Sequence, residues 1–128
     1  MGSHGKRKAI SLLDSFSFAI NGIRIALLTE RNMRIHLFSS VIVIGSSIFF
    51  SISTIEWLIV LIVIGGMLAL ELVNTAIERV VDLVTEEFHP FAKQAKDMAA
   101  GAVFIYAIIS VVIGMIVFWP HILKLLSF

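Results

Sequence analysis

The sequence predicts an all-α membrane protein, with an N-terminal amphipathic surface helix followed by three transmembrane helices. Two observations carry that expectation. Of 128 residues, 59% are hydrophobic and 15% charged, against about 45–50% and ~25% in soluble domains, and the mean hydropathy is +1.01. The apolar residues also collect into three long runs joined by polar links. The same composition excludes a disordered chain, and a net charge of +1 excludes a nucleic-acid binder. With no cysteine, disulfide frameworks, thiolate metal sites and cysteine nucleophiles are excluded too. A chain of this length holds about three spans of ~20 residues.

Residues 1–9 form a basic tail, within which Met1 to His4 have the character of a cloning remnant. The first apolar stretch carries Asp14, Asn21, Arg24 and Glu30, which argues against a signal peptide. Over 10–30, Leu12, Leu13, Phe16, Ile20, Ile23 and Leu27 recur at three- and four-residue steps, with Asp14, Asn21 and Arg24 on other sides. That pattern predicts a helix lying in the membrane interface or packed on its own bundle.

Spans are expected at about 36–53, 55–82 and 97–119. Leu37 to Ile52 is uncharged for 16 residues, so His36 and Ser53 must help it cross. The second run, Trp57 to Leu70, ends at Glu71, yet helical patterning continues to Asp82. The third, Met98 to Trp119, has 22 residues without a charge, and Pro120 is expected to end it. The link 51–56 allows only a tight hairpin, whereas 83–95 reads as a longer polar loop punctuated by Pro90. Nine of the ten basic residues fall in the N-terminal region or around the second link, and only Lys124 lies on the other side. The N-terminus and the 83–95 loop are therefore expected in the cytoplasm.

The chemistry concentrates in ELVNTAIERVVD, Glu71 to Asp82. Glu71, Asn74, Glu78 and Asp82 fall on one face of a helix, joined by Thr75, while Arg79 lies about 100° away. A carboxylate within a span costs roughly 2.5–3.5 kcal/mol on insertion scales, and such residues mark functional paths. Polar glue between helices is the simpler account of one Asn or Thr. Three aligned acids repel one another and call for a cation or a basic partner, and carboxylates on one face also suit proton abstraction. An oxygen-rich, incompletely ligated site suits Mg2+, which keeps waters and takes phosphate oxygens.

Two further segments are polar. In AKDM, Ala95 to Met98, Lys96 fits a snorkelling anchor and Asp97 an N-terminal helix residue. Beside the acidic stripe, Lys96 is also a candidate phosphate-binding cation. In TERNMRIH, Thr29 to His36, Glu30 sits among Arg31 and Arg34, which suit interface anchoring and lipid headgroups. His36 and His89 read as interfacial residues without metal-ligand spacing. Gly65, Gly66 and the Ala99–Ala102 stretch permit close helix approach. Neither a G-x-x-x-x-G-K-[ST] nor a G-x-G-x-x-G cradle occurs, and the protein-kinase signatures are missing. The residues alone reach a cytoplasm-facing carboxylate site that binds a cation, and stop short of ATP.

At these positions the chain resembles the small bacterial diacylglycerol kinase family, and within it the undecaprenol kinase branch. The resemblance rests on E-x-x-N-[ST]-A-I-E-x-x-x-D from Glu71 to Asp82, on Ala95 to Met98, and on Gly22-Ile23-Arg24 followed by Glu30. It implies that 10–128 is one membrane lipid kinase domain, forming a homotrimer whose subunits share active sites. The implied reaction is phosphorylation of a membrane lipid alcohol by ATP with Mg2+. By position, Glu71 is then the catalytic base, and Glu30 and Glu78 hold the divalent ion on ATP. Glu87, Phe88, His89, Lys96 and Asp97 contact the nucleotide, Asn74 and Asp82 are further polar site residues, and Arg24 and Arg34 meet the lipid. The chain departs from the diacylglycerol branch at Ser11 and Phe18, where that branch has nucleotide-contacting Arg and Tyr, and at Ile35-His36. TERNMRIH resembles the undecaprenol branch instead, so undecaprenol is the expected substrate and diacylglycerol the alternative. The rival non-enzyme readings are an ion pathway, disfavoured because the third span carries no charge, and a structural assembly protein.

Overall fold

Each apolar run folds as one unbroken helix, and the helix ends sit on capping residues. The computed structural model describes residues 11–127; the basic tail at 1–9, the starting residue Ile10 of the expected surface helix and Phe128 lie outside the described residues. Four helices follow one another: α1 (Leu12–Thr29), α2 (Arg31–Phe49), α3 (Thr54–Val84) and α4 (Pro90–Leu126), with no strand among the described residues. All four are long and apolar enough to cross a membrane by length and composition.

Helix α1 starts on a capping box, in which Ser11 Oγ accepts from the Asp14 amide and the Asp14 carboxylate accepts from the Ser11 amide. It ends without a loop. Glu30, extended at φ −104° and ψ 119°, is both the C-cap of α1 and the N-cap of α2. The last turn of α1 has no basic residue; Arg34, one turn into α2, donates to the carbonyls of Leu27 (3.2 Å) and Leu28 (3.1 Å) instead.

The tight hairpin between α2 and α3 forms as expected, over residues 50–53, with Ser51 in the left-handed region at φ 49°. Along α2, the hydroxyls of Ser40, Ser46 and Ser47 donate to carbonyls one turn back, which satisfies those three donors within the helix. Helix α3 opens on a second capping box, Ser53 with Glu56. Its 31 residues extend ~46 Å at ~1.5 Å each, longer than a ~30 Å hydrocarbon core. The surplus carries the acidic stripe beyond the apolar run.

Two expectations need correction at α4. The polar loop is shorter than 83–95: α3 runs to Val84, and α4 begins at Pro90, the N1 position where its missing N–H costs nothing. The expected span start at 97 therefore lies inside the helix. Pro120, expected to end the helix, also lies inside it, and α4 continues to Leu126. The ring removes one backbone bond, but the next residue, His121, is held on Glu56 at 3.1 Å and stacks near Phe50. Those contacts carry the helix past the break.

The small core sits at this hairpin end: Ile52, Val60 and Val117, with Phe50, Trp57, Ile113 and Phe118 around them. Close approach of α3 and α4 depends on Gly66, because a Cβ there would collide with the Tyr106 hydroxyl, which donates to the Ile62 carbonyl. Gly65 and Gly101 face open space within the chain. Most large apolar side chains are exposed, as suits a protein whose solvent on those faces is hydrocarbon.

Candidate active site

Along α3 the acidic stripe passes from buried to exposed. Glu71 is 3% exposed, Asn74 and Thr75 are buried, Glu78 is half-buried and Asp82 is exposed. Eleven residues of helix span about 16 Å, so one face reaches from the interior to the rim.

At the deep end α3 meets α2, and His36 Nε2 lies 3.9 Å from Glu71 Oε2. One turn on, Asn74 Nδ2 donates to Glu78 Oε1 at 3.3 Å, while Asn74 Oδ1 is buried with no partner among the described residues. A buried acceptor without a donor costs about 1–3 kcal/mol, unless something not part of the chain occupies it. Glu30 enters from the α1–α2 joint. Its Oε1 accepts from Thr29 Oγ1 at 3.1 Å and from Arg79 Nη2 at 3.4 Å, and the same Arg79 nitrogen donates to Thr29 Oγ1 at 2.7 Å. The charges of Glu78 and Glu30 both act on Glu71. Residues from two distant segments, the α1–α2 joint and the far half of α3, thus come within electrostatic reach of one another.

At the rim, Lys96 of α4 reaches Asp82 of α3 at 2.6 Å, and Lys93 pairs with Asp97 one turn along α4. Asp97 stands two turns inside the helix, so it is no N-terminal residue. In the link, Glu87 is tied to Thr85 through the backbone, Phe88 is exposed, and His89 caps α4 by accepting from the Phe91 amide. Arg24 is exposed on α1, whereas Arg34, expected on lipid, is engaged with the α1 carbonyls. Ser11 is the N-cap of α1, and Phe18 is exposed on the same helix.

Two residues escaped the sequence reading. Arg79 lies off the stripe, but three acids converging on one place demand a cation, and Arg79 directly follows Glu78. His36 was assigned to the interface. Antiparallel pairing through the 50–53 turn brings it to the depth of Glu71 and gives the signal that single-helix periodicity lacks.

Among the described residues no three acidic or His side chains form a closed metal cage. The donor set nevertheless fits a magnesium ion bound partly through phosphate and water: two carboxylates, Glu30 and Glu78, and the unpartnered Asn74 Oδ1.

The family model for prokaryotic diacylglycerol kinase matches residues 17–118. The chain is similar to the undecaprenol kinase of Bacillus subtilis (strain 168), at 48% identity over 83% of this chain and 86% of the relative. It is also similar to the diacylglycerol kinase of Synechocystis, at 41% over 92% and 68%, and to that of Escherichia coli K12, at 26% over 86% and 90%. A family match over most of the chain, with a buried acid among polar partners on membrane-length helices, leaves one conclusion: the chain belongs to the prokaryotic diacylglycerol kinase family and is a membrane lipid kinase, transferring a phosphoryl group from ATP.

Proposed function

We propose that the chain phosphorylates undecaprenol to undecaprenyl phosphate, with Glu71 as the proton acceptor. The observation that carries the site is the burial of Glu71, 3% exposed, at the inner end of a polar stripe that opens at the rim. A lipid alcohol has its tail in hydrocarbon, and a base set inward from the rim meets its hydroxyl without drawing the tail into water. The hydroxyl proton passes to a Glu71 oxygen as the lipid oxygen attacks the γ-phosphorus of ATP; the bond to the β-phosphate oxygen breaks and ADP leaves. Glu30 and Glu78, with Asn74 Oδ1, would hold Mg2+, which supplies charge neutralisation on the phosphates. Lys96 and Asp97, with Glu87, Phe88 and His89, form the nucleotide side. Lys96 exchanges its hold on Asp82 for phosphate, and Asp97 turns from Lys93. Asp82 lines the rim, and Arg24 meets the lipid headgroup. Arg34 stays on the α1 carbonyls and acts by fixing the joint that carries Glu30.

Identity to the undecaprenol kinase (48%) above that to the diacylglycerol kinases (41% and 26%), together with Ile35-His36, supports the polyprenol over diacylglycerol. Residues 10–128 act as one domain, with α1 on the membrane surface and α2–α4 spanning it. The basic residues Arg24, Arg31, Arg34, Arg79, Lys93 and Lys96 put the α1–α2 joint and the 85–89 link in the cytoplasm. The exposed apolar faces suit a homotrimer with shared sites.

Purified protein assayed with radiolabelled ATP and each lipid in mixed micelles tests the substrate: undecaprenol should show the higher kcat/KM. A preference for diacylglycerol would overturn the assignment. Loss of transfer in Glu78→Gln, with the protein still folded and trimeric by cross-linking, tests the metal pair.

A further inference from the structure

Between α2, α3 and α4 lies a cavity of about 380 Å³. Its walls are mostly apolar, from Met67 near the active site to Val60 and Phe118 toward the hairpin. Its polar groups are few. The Ser40 and Ser110 hydroxyls are committed to carbonyls of their own helices, each at 2.7 Å. His36 is the one ionisable side chain on the wall, and it is half-buried there. Glu71 is the one charged group within ion-pair range of its ring among the described residues, at 3.9 Å. At that separation the contact is not a hydrogen bond, and the ring bears on the carboxylate as a neighbouring dipole. Glu30 and Glu78 also act on Glu71 with like charge, which the imidazole dipole of His36 offsets. On α2 it is His36 that lies in ion-pair range of Glu71.

We propose that His36 is a positioning residue for phosphoryl transfer, holding the Glu71 carboxylate at the inner end of the site, where the cavity begins and the lipid hydroxyl arrives. The inference rests on Glu71 being the proton acceptor. Its chemistry is that of a base oriented by a neighbouring N–H, the arrangement that keeps an acceptor lone pair on the reacting proton.

Two substitutions separate this from simple packing. His36→Leu keeps the bulk, suits an apolar wall and removes the N–H. His36→Gln keeps an N–H on a flexible, less apolar side chain. Turnover is measured at saturating lipid and ATP, with thermal unfolding in detergent alongside. His36→Leu should lose about ten- to a hundredfold in kcat, as small misplacements of reacting groups do, with the KM for ATP unchanged. His36→Gln should regain most of that loss. In a Glu71→Gln background, His36→Leu should add no further loss, since residues acting as a unit are not additive. Wild-type kcat in His36→Leu, or an equal loss on top of Glu71→Gln, overturns the inference. Wild-type kcat in Glu71→Gln itself overturns the proton-acceptor reading beneath it, and the single substitutions tell the two failures apart.

Discussion

The two ends of the helical bundle both carry Glu and His, yet they use them in opposite ways. At the hairpin end Glu56 has its partners supplied: its carboxylate accepts from the Ser53 amide and meets His121, and Phe50 stacks beside that imidazole. At the other end Glu71 has only His36, at 3.9 Å, and Asn74 Oδ1 has no partner among the described residues. Local helix chemistry accounts for the first end: a capping box, a turn and a cross-helix pair. The second leaves polar capacity open, which folding alone disfavours. The difference teaches where stability and reactivity divide. The hairpin end closes its hydrogen bonds and holds α3 against α4, while the carboxylate end leaves polar capacity unused, as the proposed reaction requires.

The strongest way to break the comparison is Glu71→Gln. Gln keeps the shape and loses the proton acceptor, so kcat should fall by about 10²–10⁴-fold, with ATP affinity unchanged. Retained kcat with lost ATP affinity would make Glu71 a binding residue and erase the contrast. Next comes Gly66→Ala, between the two ends. The added methyl displaces Tyr106, and overpacking of this kind costs about 1–3 kcal/mol, seen as a lower unfolding midpoint in detergent with turnover per folded molecule preserved. A smaller effect is expected for Lys96→Met at the rim. Loss of a charged phosphate contact should raise the KM for ATP about tenfold while leaving kcat in place. An unchanged KM would return Lys96 to the role of an anchor on Asp82. Smallest is Ser53→Ala, which removes the N-cap of α3 for about 1 kcal/mol and leaves the kinetics alone. A change in kcat there would show that the hairpin end also takes part in the reaction.

Much of this was legible because helical patterning is a local property. The stripe Glu71–Asn74–Glu78 followed from spacing alone, and the tight turn at 50–53 from the lack of room between two apolar runs. What local patterning left unread depends on contacts outside a single helix. Pro120 reads as a helix end until His121 finds Glu56. Arg34, expected to meet the lipid, also holds carbonyls in the last turn of α1, which no spacing on one helix shows. His36 reads as interfacial until α3 folds back beside it. The roles of Glu30 and of the nucleotide-side residues came through resemblance, because no periodicity links the α1–α2 joint to the far end of α3.

That joint has one more consequence. With Glu30 ending one helix and beginning the next, no spare residue stands between them. A single residue added beside Glu30 must either swing α1 to a new heading or displace the carboxylate that Arg79 holds. The place in this chain least tolerant of added length is therefore a single junction residue on its surface-facing side, and a scan of one-glycine insertions would find the joint by its silence in the activity assay.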